Sequence, residues 1–218
     1  MASRTIIDGA LPADTTGASV AVSLEEPLAE EQRYRAGAYG VLAALLRDIP
    51  ESTVLEQVAR FADVESKHDE LEVSMSMLGL AARSCDPSAV DDEYHALFIG
   101  LGRGELLPYG SWYLTGFLME KPLGVLRDDL AALGFVKDPD VCEPEDHVAA
   151  LCEVMAIMIN DGVSQYVQKR FFDAHIGTWC DRFFADLSEA KAAVFYRAVG
   201  RFGAAFISLE QRYLSMQI

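Results

Sequence analysis

Five consecutive residues, Glu143-Pro144-Glu145-Asp146-His147, place three carboxylates and an imidazole side by side just before a strongly apolar stretch. Proline is favoured at the first position of a helix, and acidic residues are favoured there by the helix dipole. The segment is therefore predicted to form the entry turn of a helix. That structural role explains the acids and Pro144, but it leaves His147 without an explanation.

The same segment is a poor candidate for a metal or catalytic site. No HxxxH or HExxH spacing supplies His147 with further metal ligands, and no GxSxG sequence offers an activated serine. The four histidines and four cysteines of the chain are scattered rather than grouped. We therefore expect no catalytic residue, no metal and no cofactor.

A second feature is the glycine-rich run Gly100-Leu101-Gly102-Arg103-Gly104. Such a run can cradle a phosphate when a strand leads into it and a helix follows. Here a helical pattern leads in. The run is interpreted as a bend that ends a helix, with the phosphate loop of a small nucleotide-binding protein as the alternative.

A third feature is a set of large aromatic side chains in the middle of the chain. Such residues fill the helix contacts of an all-α core, but some could instead line a groove. Trp112 and Tyr113 are adjacent, so both cannot point inward from one helix face, and one of them is a candidate binding wall. The set comprises Tyr94, Phe98, Tyr109, Trp112, Tyr113 and Phe117.

The elements that would position these residues are helices. From Tyr34 to Ile49 the apolar residues follow the i, i+3, i+4, i+7 spacing of an amphipathic helix, and from Phe195 to Met216 they step by four and three. The second pattern fits either a coiled coil or a core helix of a bundle. No window predicts a strand. The expected fold is an all-α, two-lobed bundle of about nine to eleven helices.

Composition along the chain suggests four regions. Residues 1–24 carry no sustained periodicity and are predicted to be a disordered tail, with an extended segment at 19–24 as the alternative. Residues 25–134 form a predicted N-terminal helical lobe and residues 144–218 a C-terminal one. The polar connector 135–143, with Pro139 at its centre, separates the two lobes.

The net charge of the chain and its pattern of apolar segments limit the classes of function that we expect. The chain has 18 Lys and Arg against 34 Asp and Glu, a net charge of −16, which disfavours nucleic acid as a partner. It shows neither a basic N-terminal segment leading into an apolar run nor a long apolar stretch, so we expect a cytoplasmic protein without a membrane span. The cysteines are expected to be free thiols.

Three boxes, in this order, resemble the TorD/DmsD family of redox-enzyme maturation chaperones. Residues 93–100 (EYHALFIG) are similar to its E-Y-x-x-L-F-x-G box, and residues 108–114 (PYGSWYL) to its P-aromatic-x-S-x-aromatic box. Residues 143–147 (EPEDH), followed by Met155, are similar to its E-P-x-D-H…M box. A weaker likeness lies at residues 171–183, where His175 and Trp179 are one helical turn apart.

This resemblance implies a chaperone, not an enzyme, that binds the twin-arginine signal peptide of an apo-molybdoenzyme until its cofactor is inserted. The family boxes place the peptide-binding region on residues from all three segments. The last glycine of the first box is usually followed by proline in the family, where this chain has Leu101. The implied peptide-binding residues are Asp146, His147, Tyr94, Leu97, Phe98, Gly100, Pro108, Ser111 and Trp112.

The implied partners are the signal peptide and apoprotein of a molybdenum oxidoreductase. Residues 113–123 look most like family members associated with formate dehydrogenases, with dimethyl sulfoxide or trimethylamine oxide reductases as alternatives. An acidic chain suits such a ligand, because carboxylates pair with its arginines while a groove buries its apolar stretch. We expect a monomer, or a dimer that exchanges the C-terminal lobe at 135–143. The alternative functions are a nucleotide-binding protein and a helical assembly subunit of a respiratory reductase.

Overall fold

The computed structural model describes residues 4–6, 29–63, 69–100 and 103–216, and within them it contains ten α-helices. The predicted all-α class is confirmed. A 3-10 turn, Arg60–Asp63, follows α2, and a π-helical turn, His95–Ile99, follows α4. The helices are α1 Glu30–Arg47, α2 Ser52–Ala59, α3 Glu70–Ser84, α4 Pro87–Tyr94, α5 Gly110–Thr115, α6 Lys121–Ala132, α7 Val148–Asn160, α8 Gln165–His175, α9 Cys180–Glu189 and α10 Phe195–Met216.

The structure contains two short strands, so the prediction that the chain has no strand is wrong. β1, Arg4–Ile6, pairs in parallel with β2, Phe135–Lys137, in the register Arg4 to Phe135. Three residues are too few for an alternating pattern to stand out in a sequence. β1 lies in the predicted tail and β2 in the predicted connector, while residues 1–3 and 7–24 of that tail lie outside the described part.

The centre of the molecule is α7, which is buried on nearly all sides because eight of its residues from Val148 to Ile159 are apolar and almost inaccessible. It packs along α1. Arg47, at the end of α1, pairs with Glu153 of α7, whereas Arg35, near the start of α1, reaches Gln168 of α8. The two central helices therefore run antiparallel.

α10 is a core helix of the bundle, the second of the two predicted alternatives. It packs against α9 and α3. Gly203 allows a close approach to α9, because a Cβ atom there would lie 2.2 Å from the Phe184 ring. The regularly spaced aromatic residues of α10 thus pack against other helices of the same chain.

A buried ion pair ties α1 to α10. Arg35 donates from Nε and a terminal nitrogen to the two oxygens of Glu210, at 2.6 and 2.7 Å. Tyr39 donates its hydroxyl to the same carboxylate at 3.0 Å, and Gln168 accepts from Arg35 at 2.9 Å. The fully buried Glu210 therefore has three donors, which compensates its loss of hydration.

The predicted division into lobes at 135–143 remains a prediction. Helices from both sides of the connector pack on each other, α1 against α7 and α3 against α10.

All four cysteines are free thiols, and burial raises the pKa of Cys152 to about 12. Among the described residues, none of the helices has the length and apolar character needed to cross a bilayer.

Candidate functional site

The site is built where two distant segments meet at the entry to α5 and α7. Tyr109 and His147 form an antiparallel bridge. Gly110 donates its backbone N–H to the Asp146 carbonyl, and Val148 donates to the Pro108 carbonyl, both at 2.9 Å. The second and third boxes of the sequence are thereby locked together.

α7 starts later than the sequence suggested. The proline and acids of the third box were expected to form the first helical turn, but residues 144–146 form a turn outside the helix, and α7 begins at Val148. The reason is His147, whose Nδ1 accepts the backbone N–H of Ala149 at 3.1 Å and so caps the helix. Asp146 is thus free to point away from the helix.

Asp146 is the carboxylate of the site and only 3% of its surface is exposed. Its Oδ2 accepts the backbone N–H of Ser111 at 2.7 Å. Its Oδ1 is buried and accepts no hydrogen bond from any residue of the described part. A buried acceptor without a donor is costly, so this oxygen is suited to a donor brought by a ligand.

Asp146 lines a cavity of about 170 Å³ whose walls are mainly apolar. That volume accommodates one planar side-chain head group or several water molecules. The exposed Leu114 and Val125 form its mouth, and the Trp179 indole, held by a 2.7 Å hydrogen bond to the His175 carbonyl, forms part of its wall. The lining residues are Gly110, Ser111, Leu114, Pro122, Val125, Leu126, Asp146, Leu151, Ala174, His175 and Trp179.

His147 is a neutral structural residue rather than a cation. Burial, with a smaller contribution from the positive charge of Arg47, lowers its pKa to about 4. Because Nδ1 accepts the capping bond, the ring proton lies on Nε2. The ring also packs edge-on against Tyr109, with centroids 5.2 Å apart. His147 frames the site and is not among the residues that line the cavity.

Two further acids, Glu143 and Glu145, precede Asp146 in the third box. Glu145 forms a bidentate pair with Arg127, and although burial opposes its ionisation, this bonding lowers its pKa overall. Burial and the nearby Asp146 raise the pKa of Glu143. No cationic side chain of the described residues is hydrogen-bonded to Glu143 or Asp146. A cation entering the cavity would meet a carboxylate oxygen, Oδ1 of Asp146, that has no hydrogen-bond partner among the described residues.

Three residues of the first box lie away from the cavity, with Tyr94 and Leu97 in the core and the partly buried Phe98 packed against it. Leu97 is fully buried, and the Tyr94 ring packs on Phe98 with centroids 5.0 Å apart. Phe98 in turn contacts Tyr196 of α10 at 5.5 Å. None of the three lines the cavity. Glu143 contributes to the raised pKa of Tyr94, which burial chiefly causes, so the core cluster adjoins the acidic segment.

Gly100 and Trp112 shape the loop between the first two boxes. Gly100 ends the π-helical turn with φ of 60°, and a Cβ there would lie 2.1 Å from the Arg103 carbonyl. Arg103 lies over the Trp112 ring at 4.6 Å. Leu101 and Gly102 are outside the described part. Glu105 then donates its backbone N–H back to Ala96 at 3.2 Å, a fold-back that favours the interpretation as a bend.

The structure thus separates the nine predicted residues into groups. Asp146 and Ser111 line the cavity, Pro108 and His147 frame it, and Gly100 and Trp112 shape the preceding loop. Tyr94 and Leu97 lie in the core, and Phe98 packs against it. Their role in peptide binding remains a prediction. His175 and Trp179, which also line the cavity, had only a weak signal in the sequence.

Two further carboxylates have structural roles that the sequence did not reveal. Glu93 accepts the backbone N–H groups of Val194, Phe195 and Tyr196 at 2.6 to 2.9 Å. Glu105 accepts from Lys191 and Ala192, and these hydrogen bonds lower its pKa. Because the partners lie 86 to 103 positions away, no local pattern could have shown them.

A larger apolar groove, of about 1260 Å³, lies among α1, α2, α3 and α10. Its lining includes the acidic Glu30, Glu31 and Asp69. None of the nine predicted site residues contributes to it.

Comparison with known proteins identifies relatives. Residues 61–185, more than half of the chain, match the nitrate reductase delta subunit family. The chain is 30% identical over 150 residues to the chaperone protein TorD of Vibrio cholerae, covering 64% of each chain. It is 26% identical over 152 residues to TorD of Vibrio atlanticus, covering 64% of this chain and 66% of that protein. The chain thus spans slightly less than two thirds of the length of these two relatives.

One further relative matches over more of the chain, and one solved structure has a similar fold. TorD of Aliivibrio salmonicida is 25% identical over 184 residues, 78% of each chain. The fold matches the crystal structure of a candidate redox enzyme maturation protein from Archaeoglobus fulgidus with a TM-score of 0.55, over 86% of this chain and 99% of that one, at 16% identity. The expectation of a non-enzymatic chaperone agrees with these relatives. The chain belongs to the nitrate reductase delta subunit family, and it is similar in sequence to TorD chaperones.

Proposed function

We propose that the protein is a cytoplasmic chaperone that binds the twin-arginine signal peptide of an apo-molybdoenzyme and retains it until cofactor insertion, before export. Formate dehydrogenases are the first candidate clients, and dimethyl sulfoxide or trimethylamine oxide reductases the second. The observation that supports this function best is the free Oδ1 of Asp146 in an apolar cavity.

The cavity has the chemistry that an arginine side chain requires. A guanidinium carries several N–H donors in one plane, and Asp146 offers one carboxylate oxygen that no residue of the described part uses. An aromatic wall such as Trp179 adds a favourable surface for the planar cation. In a site with little water, an ion pair of this kind is stronger than on the open surface.

The charge of the whole chain would assist the encounter. A net charge of −16 attracts a cationic peptide over distances of about a Debye length, roughly 10 Å at 0.1 M salt. Salt should therefore slow association and weaken binding, whereas the apolar part of the contact should persist.

Isothermal titration with a synthetic client signal peptide tests the proposal. Asp146→Asn keeps an oxygen that can accept from Ser111 but removes the charge, so the affinity should fall at least about tenfold. Asp92→Asn, an exposed acid on α4, is the matched control and should bind like the wild type. Replacing both arginines of the peptide by alanine should have a similar effect to Asp146→Asn.

Wild-type protein that binds the arginine-free peptide equally well, at low and high salt alike, would contradict the electrostatic basis of this function. Circular dichroism of each variant shows whether a loss of affinity reflects a loss of fold.

A further inference from the structure

The loop between α5 and α6 carries a cluster of large apolar side chains in solvent. Phe117 is 67% exposed and Met119 69%, and Leu118 between them is 44% exposed. Leu114 at the end of α5 and Val125 on α6 flank the loop and are also exposed. We refer to these five residues as the apolar ledge. Side chains of this kind are normally buried, so an exposed group of them indicates a binding surface.

The loop conformation is fixed by the protein itself. Thr115 donates its hydroxyl to the Ser111 carbonyl at 2.8 Å and accepts the backbone N–H of Phe117 at 3.2 Å. Gly116 adopts a left-handed φ of 80°, and Met119 adopts φ of 58°, which is unfavourable for a residue with a side chain. Met119 is held there because its N–H donates to the Ser111 hydroxyl at 3.2 Å.

Ser111 connects the ledge to the Asp146 cavity. Its backbone N–H binds Asp146, while its hydroxyl binds the ledge backbone at Met119. Leu114 and Val125 belong to both features, since they line the cavity and lie on the ledge. The ledge is therefore continuous with the mouth of the cavity, and its position relative to Asp146 is fixed before any ligand arrives.

We propose that the apolar ledge binds the apolar stretch of the same peptide whose arginine enters the Asp146 cavity. This inference rests on the proposed function and assigns a second subsite to it. A cavity of about 170 Å³ holds one side chain and leaves the apolar part of the ligand outside. The ledge adjoins that point and offers the side chains that such a segment would bury.

The loop that carries the ledge is already ordered in the folded protein. Peptide binding would therefore not have to order it, and less conformational entropy would be lost on binding. Other strongly exposed apolar residues, such as Tyr166 on α8 and Val194 before α10, line neither the Asp146 cavity nor the larger groove. The juxtaposition of an acid in a cavity with an apolar ledge suits a ligand that carries a cation and an apolar segment next to each other.

Titrations with two peptides separate the subsites. One is the full client signal peptide, and the other has its apolar stretch replaced by serine and glycine with the arginines retained. Phe117→Ser should weaken the full peptide about tenfold and leave the second unchanged. Met119→Gly removes an apolar side chain and relieves the positive φ, so it should weaken the full peptide without lowering thermal stability. Asp146→Asn should weaken both peptides.

Tyr166→Ser, which removes an exposed aromatic ring elsewhere, is the control and should bind both peptides like the wild type. If both ledge variants bind the full peptide normally while Asp146→Asn does not, the ledge is wrong and the proposed function stands. If the wild type binds neither peptide, both fail. If Phe117→Ser changes only the oligomeric state, seen by size-exclusion chromatography, the ledge contacts a second copy of this chain and the proposal is overturned.

Discussion

His147 caps α7 with a ring nitrogen that must remain unprotonated. Its pKa is lowered by burial to about 4, below the value of about 6.5 in an unfolded chain. The unfolded chain therefore binds this proton more readily. The stability contributed by neutral His147 is present above pH 6.5 and is lost as the pH falls towards 4. At the residue scale, His147 makes the fold sensitive to acid.

The expected consequence is measurable with a cap that does not titrate. His147→Asn can accept the Ala149 N–H without changing charge. The free energy of unfolding of the wild type should fall by up to about 3 kcal/mol more than that of the variant between pH 6.5 and pH 4. Urea denaturation at a series of pH values compares the two proteins, and parallel pH profiles would contradict the assignment.

At the scale of elements, two carboxylates position the start of α10 and the segment before it. Glu93 is buried and accepts three backbone N–H groups, while Glu105 is exposed and accepts two. Glu93→Ala should lower the free energy of unfolding by about 3 kcal/mol, because buried donors lose their partner. Glu105→Ala should cost less than about 1 kcal/mol, since water can replace the carboxylate. Equal losses in urea denaturation would contradict this difference in burial.

The helices were the predictable elements and their connections were not. The stripes of α1 and α10 were visible because each helix buries one face in a regular period. β1 and β2 were missed because three-residue strands carry no period, and the start of α7 was placed too early because the cap is a histidine. Local patterns determine helix faces, whereas the β1–β2 pair joins residues far apart in the sequence, and histidine is not among the preferred N-cap residues.

The candidate site shows the same limit. The family boxes contain Asp146 and Ser111, but only the structure shows that these two residues touch, through the hydrogen bond from the Ser111 N–H to Asp146 Oδ2. The free carboxylate oxygen and the exposed ledge depend on packing around them, which no spacing in the sequence expresses. Conversely, Tyr94 and Phe98 belong to a strong motif, yet Tyr94 lies in the core and Phe98 packs against it rather than lining the cavity.

At the scale of the whole molecule, the Arg35–Glu210 pair joins helices from the two ends of the chain. Glu210→Gln should destabilise the protein by about 3 to 5 kcal/mol, because Arg35 would remain buried without a counter-charge. The double variant Arg35→Met, Glu210→Leu should recover most of that loss. Urea denaturation of the single and double variants checks this, and a double variant as unstable as the single would show that the pair itself, rather than its desolvation, stabilises the fold.

Exchange of the C-terminal region between two chains remains a prediction at this scale. Such a dimer would have to reform the α1–α7 and α3–α10 contacts and the Arg35–Glu210 pair between protomers. The connector that would act as hinge contains β2, which is paired with β1.

The central claim is that Asp146 binds an arginine of the client signal peptide. A double-mutant cycle measures this directly, with wild-type and Asp146→Asn protein and with peptides in which one arginine is replaced by citrulline, which keeps the shape but not the charge. For one of the two arginines, the affinity losses should be strongly non-additive, so that the citrulline peptide binds both proteins almost equally well. Additive losses for both arginines would contradict the claim, because they would place Asp146 outside the arginine site.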